Sequence, residues 1–139
     1  MSIVQGLTHS FKKELLEGRH DFSSHSFKLA LYSSNADLSP DTTAYSATDE
    51  VVGTGYTAGG ITLTAVAPAV ESGIAYVDFS DAAWTSSTFT ARGGLIYNSS
   101  AANRAVAVLN FGNDRSCDSS TFTVTFPSVL PQEAIIRLK

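Results

Sequence analysis

Between Glu50 and Val66 the chain reads EVVGTGYTAGGITLTAV, a glycine-rich bend running straight into alternation. Gly53, Gly55, Gly59 and Gly60 open backbone angles that other residues reach only at a cost. Ile61, Leu63 and Ala65 then share one strand face, and Thr62, Thr64 and Val66 the other. A turn feeding a strand is the grammar of much of the chain. Phe27, Leu29 and Leu31 alternate with Lys28, Ala30 and Tyr32, and Phe122, Val124 and Phe126 alternate with threonines. Ile74–Phe79 reads the same way, and a weaker strand lies between Pro68 and Gly73. Ala105–Leu109 is apolar on both faces, as a central strand would be. Thr88–Arg92 and Leu95–Asn98 are either two strands joined at Gly93-Gly94 or one strand with a bulge there. Ala134–Leu138 reads as the last strand, with Pro127 and Pro131 punctuating the approach to it.

Helical periodicity occurs once, over residues 3 to 17. Val4, Leu7, Phe11 and Leu15 make an apolar stripe, Ser2 and Gln5 have capping-box spacing, and Gly18 suits a left-handed end. So short a helix is marginal alone, so its stripe docks on its own sheet or on a partner. Parallel sheets need helical crossovers, and this chain has one helix, at its start. The expectation is a mainly β single domain over 1–139. It pairs an N-terminal helix (1–18) with an antiparallel β-sandwich (26–139), jelly-roll-like, of about eight or nine short strands.

Charged residues are 16% of the chain against 43% hydrophobic; about 25% charged is usual. Such a surface relies on Ser, Thr and Asn, or is covered by neighbours. The net charge of -4 and the lack of a basic run speak against nucleic acid as a partner. No apolar stretch is long enough to span a membrane, and the start lacks the pattern of a secretory signal. Ser34–Thr48 is a long polar loop, a kind that usually binds something or packs on a neighbour.

Chemistry is sparse. The loop from Gly53 to Gly60 lacks the Lys-Ser/Thr of a phosphate loop and runs into a strand, so nucleotide binding is not expected. His9, His20 and His25 have no zinc-site companions and read as surface histidines. Asp114 and Asp118 lie in GNDRSCDSS (112–120), which reads as a solvated loop rather than a calcium site. Asp49 and Glu50 could pair as acids, but no apolar pocket is evident near them. Cys117 is alone. Asn98-Ser99-Ser100 matches a glycosylation sequon and reads as a turn. No metal, cofactor or catalytic residue is expected. Tyr45, Tyr56 and Trp84 stand out as interface or core anchors.

Several runs together carry a resemblance: FKLALYSSNADL (27–38), TTAYSATDEVVGTGYTAGGITLT (42–64), VDFSDAAWTSSTFTARGGLIYNSS (77–100), AVAVLNFG (105–112) and TFTVTFP (121–127). The chain resembles a family of small tailed-bacteriophage virion structural proteins, described as capsid decoration (cement) or tail-associated. The resemblance implies a non-enzymatic virion protein. Its partners would be the major capsid protein or other virion proteins, and it would form a homo-oligomer, a trimer by preference. Leu7, Phe11 and Leu15 would then dock the helix on the particle. The alternative is a tail-, neck- or fibre-associated protein, with a receptor-binding role as a further option.

Overall fold

The structure, a computed structural model, describes residues 2–126 and 134–138. Pro127 and Pro131 lie outside the described residues. In chain order the elements are β1 (Gly6–Leu7), α1 (His9–Leu16), β2 (Phe27–Tyr32), β3 (Ile61–Thr62) and β4 (Ala65–Glu71), then β5 (Ile74–Phe79), β6 (Ala82–Asn98), β7 (Arg104–Val124) and β8 (Ile136–Leu138). They form one sheet of order β1-β7-β6-β2-β3 and a second of order β4-β5-β8. Every strand pairing within these sheets is antiparallel. The fold is mainly β and sandwich-like, as the alternation and the single helix require.

The β6–β7 ribbon is the frame. The two readings of Gly93-Gly94 resolve in favour of one strand: β6 runs through both glycines for 17 residues, with a register shift between Ala91 and Gly93. A Cβ at Gly93 would stand 2.5 Å from the Leu109 carbonyl oxygen and 3.0 Å from Ile3, so the close approach needs glycine. The polar run 112–120 is not the expected loop. It belongs to β7, which runs 21 residues without a break. Its Ser, Asp and Arg residues are exposed while Cys117 is buried opposite Phe89. Gly112 (φ 84) and Ser119 (φ 46) take positive angles, and register shifts near Ser87 and Phe89 absorb the irregularity. Turn-forming composition was overridden by the partner strand.

The alternating run after Gly60 also divides. Ile61–Thr62 pairs with β2, and from Ala65 the chain pairs with β5 in the other sheet. One stretch therefore links the two layers.

Around β2 and the Asn98/Arg104 end of β6 and β7, the larger sheet is buried on both faces. Phe27, Leu29 and Leu31 of β2 join Trp84, Phe89, Val106 and Phe122 against Val77 and Phe79 of β5 and Ile136 of β8. On the opposite face, Ala30, Tyr32, Leu95, Tyr97 and Val108 are covered by Ile3 and by Ala36, Leu38 and Tyr45 of the long loop. The loop's role as a cover explains its length.

The helix is shorter than its periodicity predicts. Thr8, not Ser2, is the N-cap, its Oγ1 accepting the Phe11 N–H at 3.2 Å. Residues before it are extended: Ile3 bridges Leu38, and Gly6 and Leu7 pair with Val108 and Ala107. A glycine at position 6 disfavours helix, and the edge of β7 offers hydrogen bonds in its place. Gly18, at φ 74, ends the helix in the left-handed conformation. Phe11 is fully buried in the main core, whereas Leu16 is 92% exposed. The stripe thus docks on the chain's own sheet through Phe11.

Two substitutions check this orientation. Phe11→Ala should cost about 3–5 kcal/mol in denaturant unfolding, since the cavity is in a closed core. Leu16→Ala should stay within about 0.5 kcal/mol. Equal effects at the two positions would mean that the helix faces another way.

Candidate functional site

Two buried polar clusters stand out, both on the larger sheet. The first centres on Glu50, which follows Asp49 in a left-handed backbone conformation (φ 61). The Glu50 N–H bonds Ala47 at 3.2 Å and the residue bridges Tyr32, which sets its side chain beneath the loop. Its Oε1 accepts the Tyr45 hydroxyl at 2.7 Å. Its Oε2 accepts the Tyr56 hydroxyl and the Gly59 N–H, the latter at 2.8 Å. The Tyr97 hydroxyl donates to the Gly59 carbonyl at 2.6 Å, and Tyr56 accepts the Leu31 N–H at 2.9 Å. Tyr45 stacks on Tyr97 with ring centroids 4.7 Å apart. Tyr32 reaches the Ser46 carbonyl at 2.7 Å.

One carboxylate therefore gathers the glycine-rich bend and the loop around it onto β2 and β6. Burial pushes the Tyr97 phenol up to about 12, assisted by the charge of Glu50. Tyr32, Tyr45 and Tyr56 are raised further still. Burial leads in each, followed by the hydrogen bond to Glu50 for Tyr45 and Tyr56 and by its charge for Tyr32. The phenols act as donors that stay protonated, and the carboxylate's acceptor positions are filled from within the chain. This is a clamp on the main chain. Asp49, the other half of the candidate acid pair, is exposed and outside it.

The second cluster joins α1, the connection to β2 and the start of β7. Glu14 receives His20 Nε2 at 2.8 Å on one oxygen and Arg104 Nη1 at 2.9 Å on the other. The Asn98 amide nitrogen lies 3.0 Å from Nδ1 of His20 and 3.0 Å from Nδ1 of His25. The Asn98 oxygen accepts the Ser100 N–H at 3.0 Å, which fixes the amide's orientation. Its two N–H donors make both Nδ1 atoms acceptors and leave the ring protons on Nε2. The His20 side chain is wholly buried, so the surface reading of this histidine is overturned. Asn98 is fully buried as well, and its sequon is occupied by structure.

The residues singled out from sequence scatter. Tyr45 and Tyr56 meet at Glu50, a partner that alternation and motif reading do not reveal. Trp84 is buried, its ring near Tyr56 (6.2 Å) and Phe122 (6.0 Å). Leu7 is half-buried on β1 against the main core. Phe11 is inside that core. Leu15, half-buried, lines an apolar groove of about 100 Å³ with Phe22, Pro68, Tyr76, Ile136 and Leu138. A larger open cleft of about 450 Å³ runs along β7 between Phe111, Arg115 and Phe122. Among the described residues, no three His, Cys, Asp or Glu side chains converge where they could hold a metal ion. No helix among them is long and apolar enough to cross a membrane.

Glu50→Ala should cost on the order of 3 kcal/mol in chemical denaturation, because three donors lose their acceptor in a buried site. Glu50→Gln should cost less than about 1 kcal/mol, since its amide can serve the same neighbours with Tyr45 turned to accept. The tyrosines set an alkaline limit. Their folded values lie above the ordinary phenol, so the stability they hold is complete below pH ~10 and is lost as pH rises through the folded values. Absorbance titration of the folded protein should show these four phenols resisting ionisation at pH ~10, with ionisation and unfolding arriving together at higher pH. Four phenols titrating normally in a folded protein would exclude the clamp. Searches found no family model, no curated protein and no solved structure that matches this chain.

Proposed function

We propose that this chain is a bacteriophage virion structural protein, a cement protein that binds the assembled head and stabilises it. The resemblance carried by its sequence runs is one support. The observation that carries the proposal in physical terms is the apolar surface beside the C-terminal end of α1. There Leu15, Phe22, Pro68, Tyr76 and Leu138 line a groove, with Leu138 54% exposed and the neighbouring Leu16 92% exposed. Val70, 72% exposed, lies on the same edge strand as Pro68. A chain with 16% charged residues has little to offset such exposure, and apolar surface of this kind marks places where neighbours dock.

Of the helix stripe expected to dock, Leu15 lines this groove. Phe11 is committed to the chain's own core and Leu7 to β1. The groove edge, Leu15 and Leu16 with the small sheet, is what remains to meet a capsid subunit. Stabilisation follows from mass action: a ligand that binds the assembled shell and not its dispersed subunits shifts the balance toward the shell. Three copies around a local symmetry axis would let modest single contacts add.

Leu16→Asp is the direct test. The position is exposed, so the fold should keep its unfolding midpoint, while occupancy on isolated heads should fall by at least about tenfold from the cost of burying a charge. Unchanged occupancy would remove the groove from the contact. Gold labelling of virions with an antibody to the purified protein tests the placement itself. Label over the heads supports the cement role, and label confined to tail or neck replaces it with a tail-associated one.

A further inference from the structure

The smaller sheet holds a carboxylate where strand geometry calls for none. Val77 and Phe79 of β5 face the main core. Asp78 between them points to the other face, yet it is 0% exposed. Its Oδ1 accepts the Phe79 N–H at 2.9 Å, and the Ile135 backbone is near enough to act on the carboxyl. Its Oδ2 has no hydrogen-bond partner among the described residues. Ile135 leads directly into β8, and Ala134 beside it is 1% exposed.

Asp81 stands close enough for its charge to act on Asp78, and its Oδ1 accepts the Phe126 N–H at 3.0 Å. Asp81 thus holds the chain where it leaves β7, and Asp78 lies beside the point where the chain enters β8. The other neighbours bring little relief. β4 places Val66 opposite Asp78. β8 brings Arg137, opposite Tyr76, which has contacts of its own.

We infer that Asp78 is a pH-sensitive latch on the C-terminal strand, closed when its carboxyl is neutral and loosened when it ionises. A buried charge with one bare oxygen and an acid nearby costs more than a neutral carboxyl in the same place. The shift agrees: burial, in the first place, raises Asp78 above the ordinary carboxylate range, outweighing the Phe79 and Ile135 N–H groups that favour the charged form, and Asp81 adds to the rise. A raised folded value means that the group's stabilising share is complete at acid pH and is lost as pH rises through that value. β8 has three residues and pairs with β5 alone among the described strands. Among the three strands of the smaller sheet it is the shortest, and so the one that opens most readily. This inference stands apart from the proposed role in a virion.

Hydrogen exchange of residues 134–138, corrected for the intrinsic pH dependence of amide exchange, tests it between pH 4 and pH 8. The wild-type chain should lose protection in this segment as pH rises, by about tenfold for each unit that burial raises the carboxyl. Protection in β6 and β7 should hold. Asp78→Asn should remove the pH dependence and keep the segment protected throughout. Asp81→Asn, which retains an acceptor for Phe126, should move the loosening to lower pH, because the repelling charge that raises Asp78 is gone. Flat wild-type protection would overturn the latch, and so would an Asp81→Asn midpoint that does not move. Should Asp78→Asn fail to fold, those two measurements decide alone.

Discussion

β6 runs for 17 residues and β7 for 21, and the antiparallel ladder between them sets the position of everything else. At the Asn98/Arg104 end the ladder is the middle of a sheet, with β2 on one side and β1 on the other. There the residues are buried on both faces. At the other end, beyond Gly112, β7 carries no further strand among the described residues, and its residues alternate between core and water. The change of environment along one strand explains its composition: apolar on both faces from Ala105 to Val108, then Ser, Asp and Arg around a buried Cys117.

This dependence shows what the sequence could and could not convey. Alternation located β2, β5 and the last part of β7, because one buried face imposes a period of two. The single helix and the lack of crossovers pointed to antiparallel sheets, and that holds. The run GNDRSCDSS was read as a loop because its residues favour turns. Nothing local in it announces that its partners lie between Ser87 and Ala91. The helix start failed for a related reason. Val4 and Leu7 fit a helical stripe, but Gly6 and the free edge of β7 favour an extended chain, and Thr8 is a capping residue in its own right. Local patterns record which residues are buried, and they record less well which non-local element buries them.

The polar clusters were the least legible part. Tyr45 and Tyr56 were singled out as aromatics, yet their hydroxyls explain their positions as much as their rings do. Glu50 appeared in the sequence as one acid among several near a polar loop. Its three bonds arise because the glycine-rich bend folds back across β2, so close that a Cβ at Gly60 would lie 1.8 Å from the Leu29 carbonyl oxygen. The glycines read at the outset as freedom in a turn thus allow an approach, and the carboxylate and phenols hold it. His20 shows the same logic. In sequence it belongs to a polar connection; in the fold it lies between Phe11 and Phe27, bonded at both ring nitrogens.

The arrangement of satisfied and unsatisfied groups also bears on how this chain meets others. Long strands invite pairing with foreign strands unless their edges are blunted. In β7 several backbone N–H groups are taken by side chains instead: Asn110 by Gln5, Gly112 by the Asn110 side chain, Asp118 by Ser120. Positive angles at Gly112 and Ser119 disturb the regular edge further. Pro68 removes a donor from β4 at the edge of the smaller sheet. Strand addition is therefore disfavoured along β7 and along β4, where side-chain surfaces are left for contact. The apolar groove between α1 and the smaller sheet is such a surface, and it borders β8, the shortest strand of that sheet.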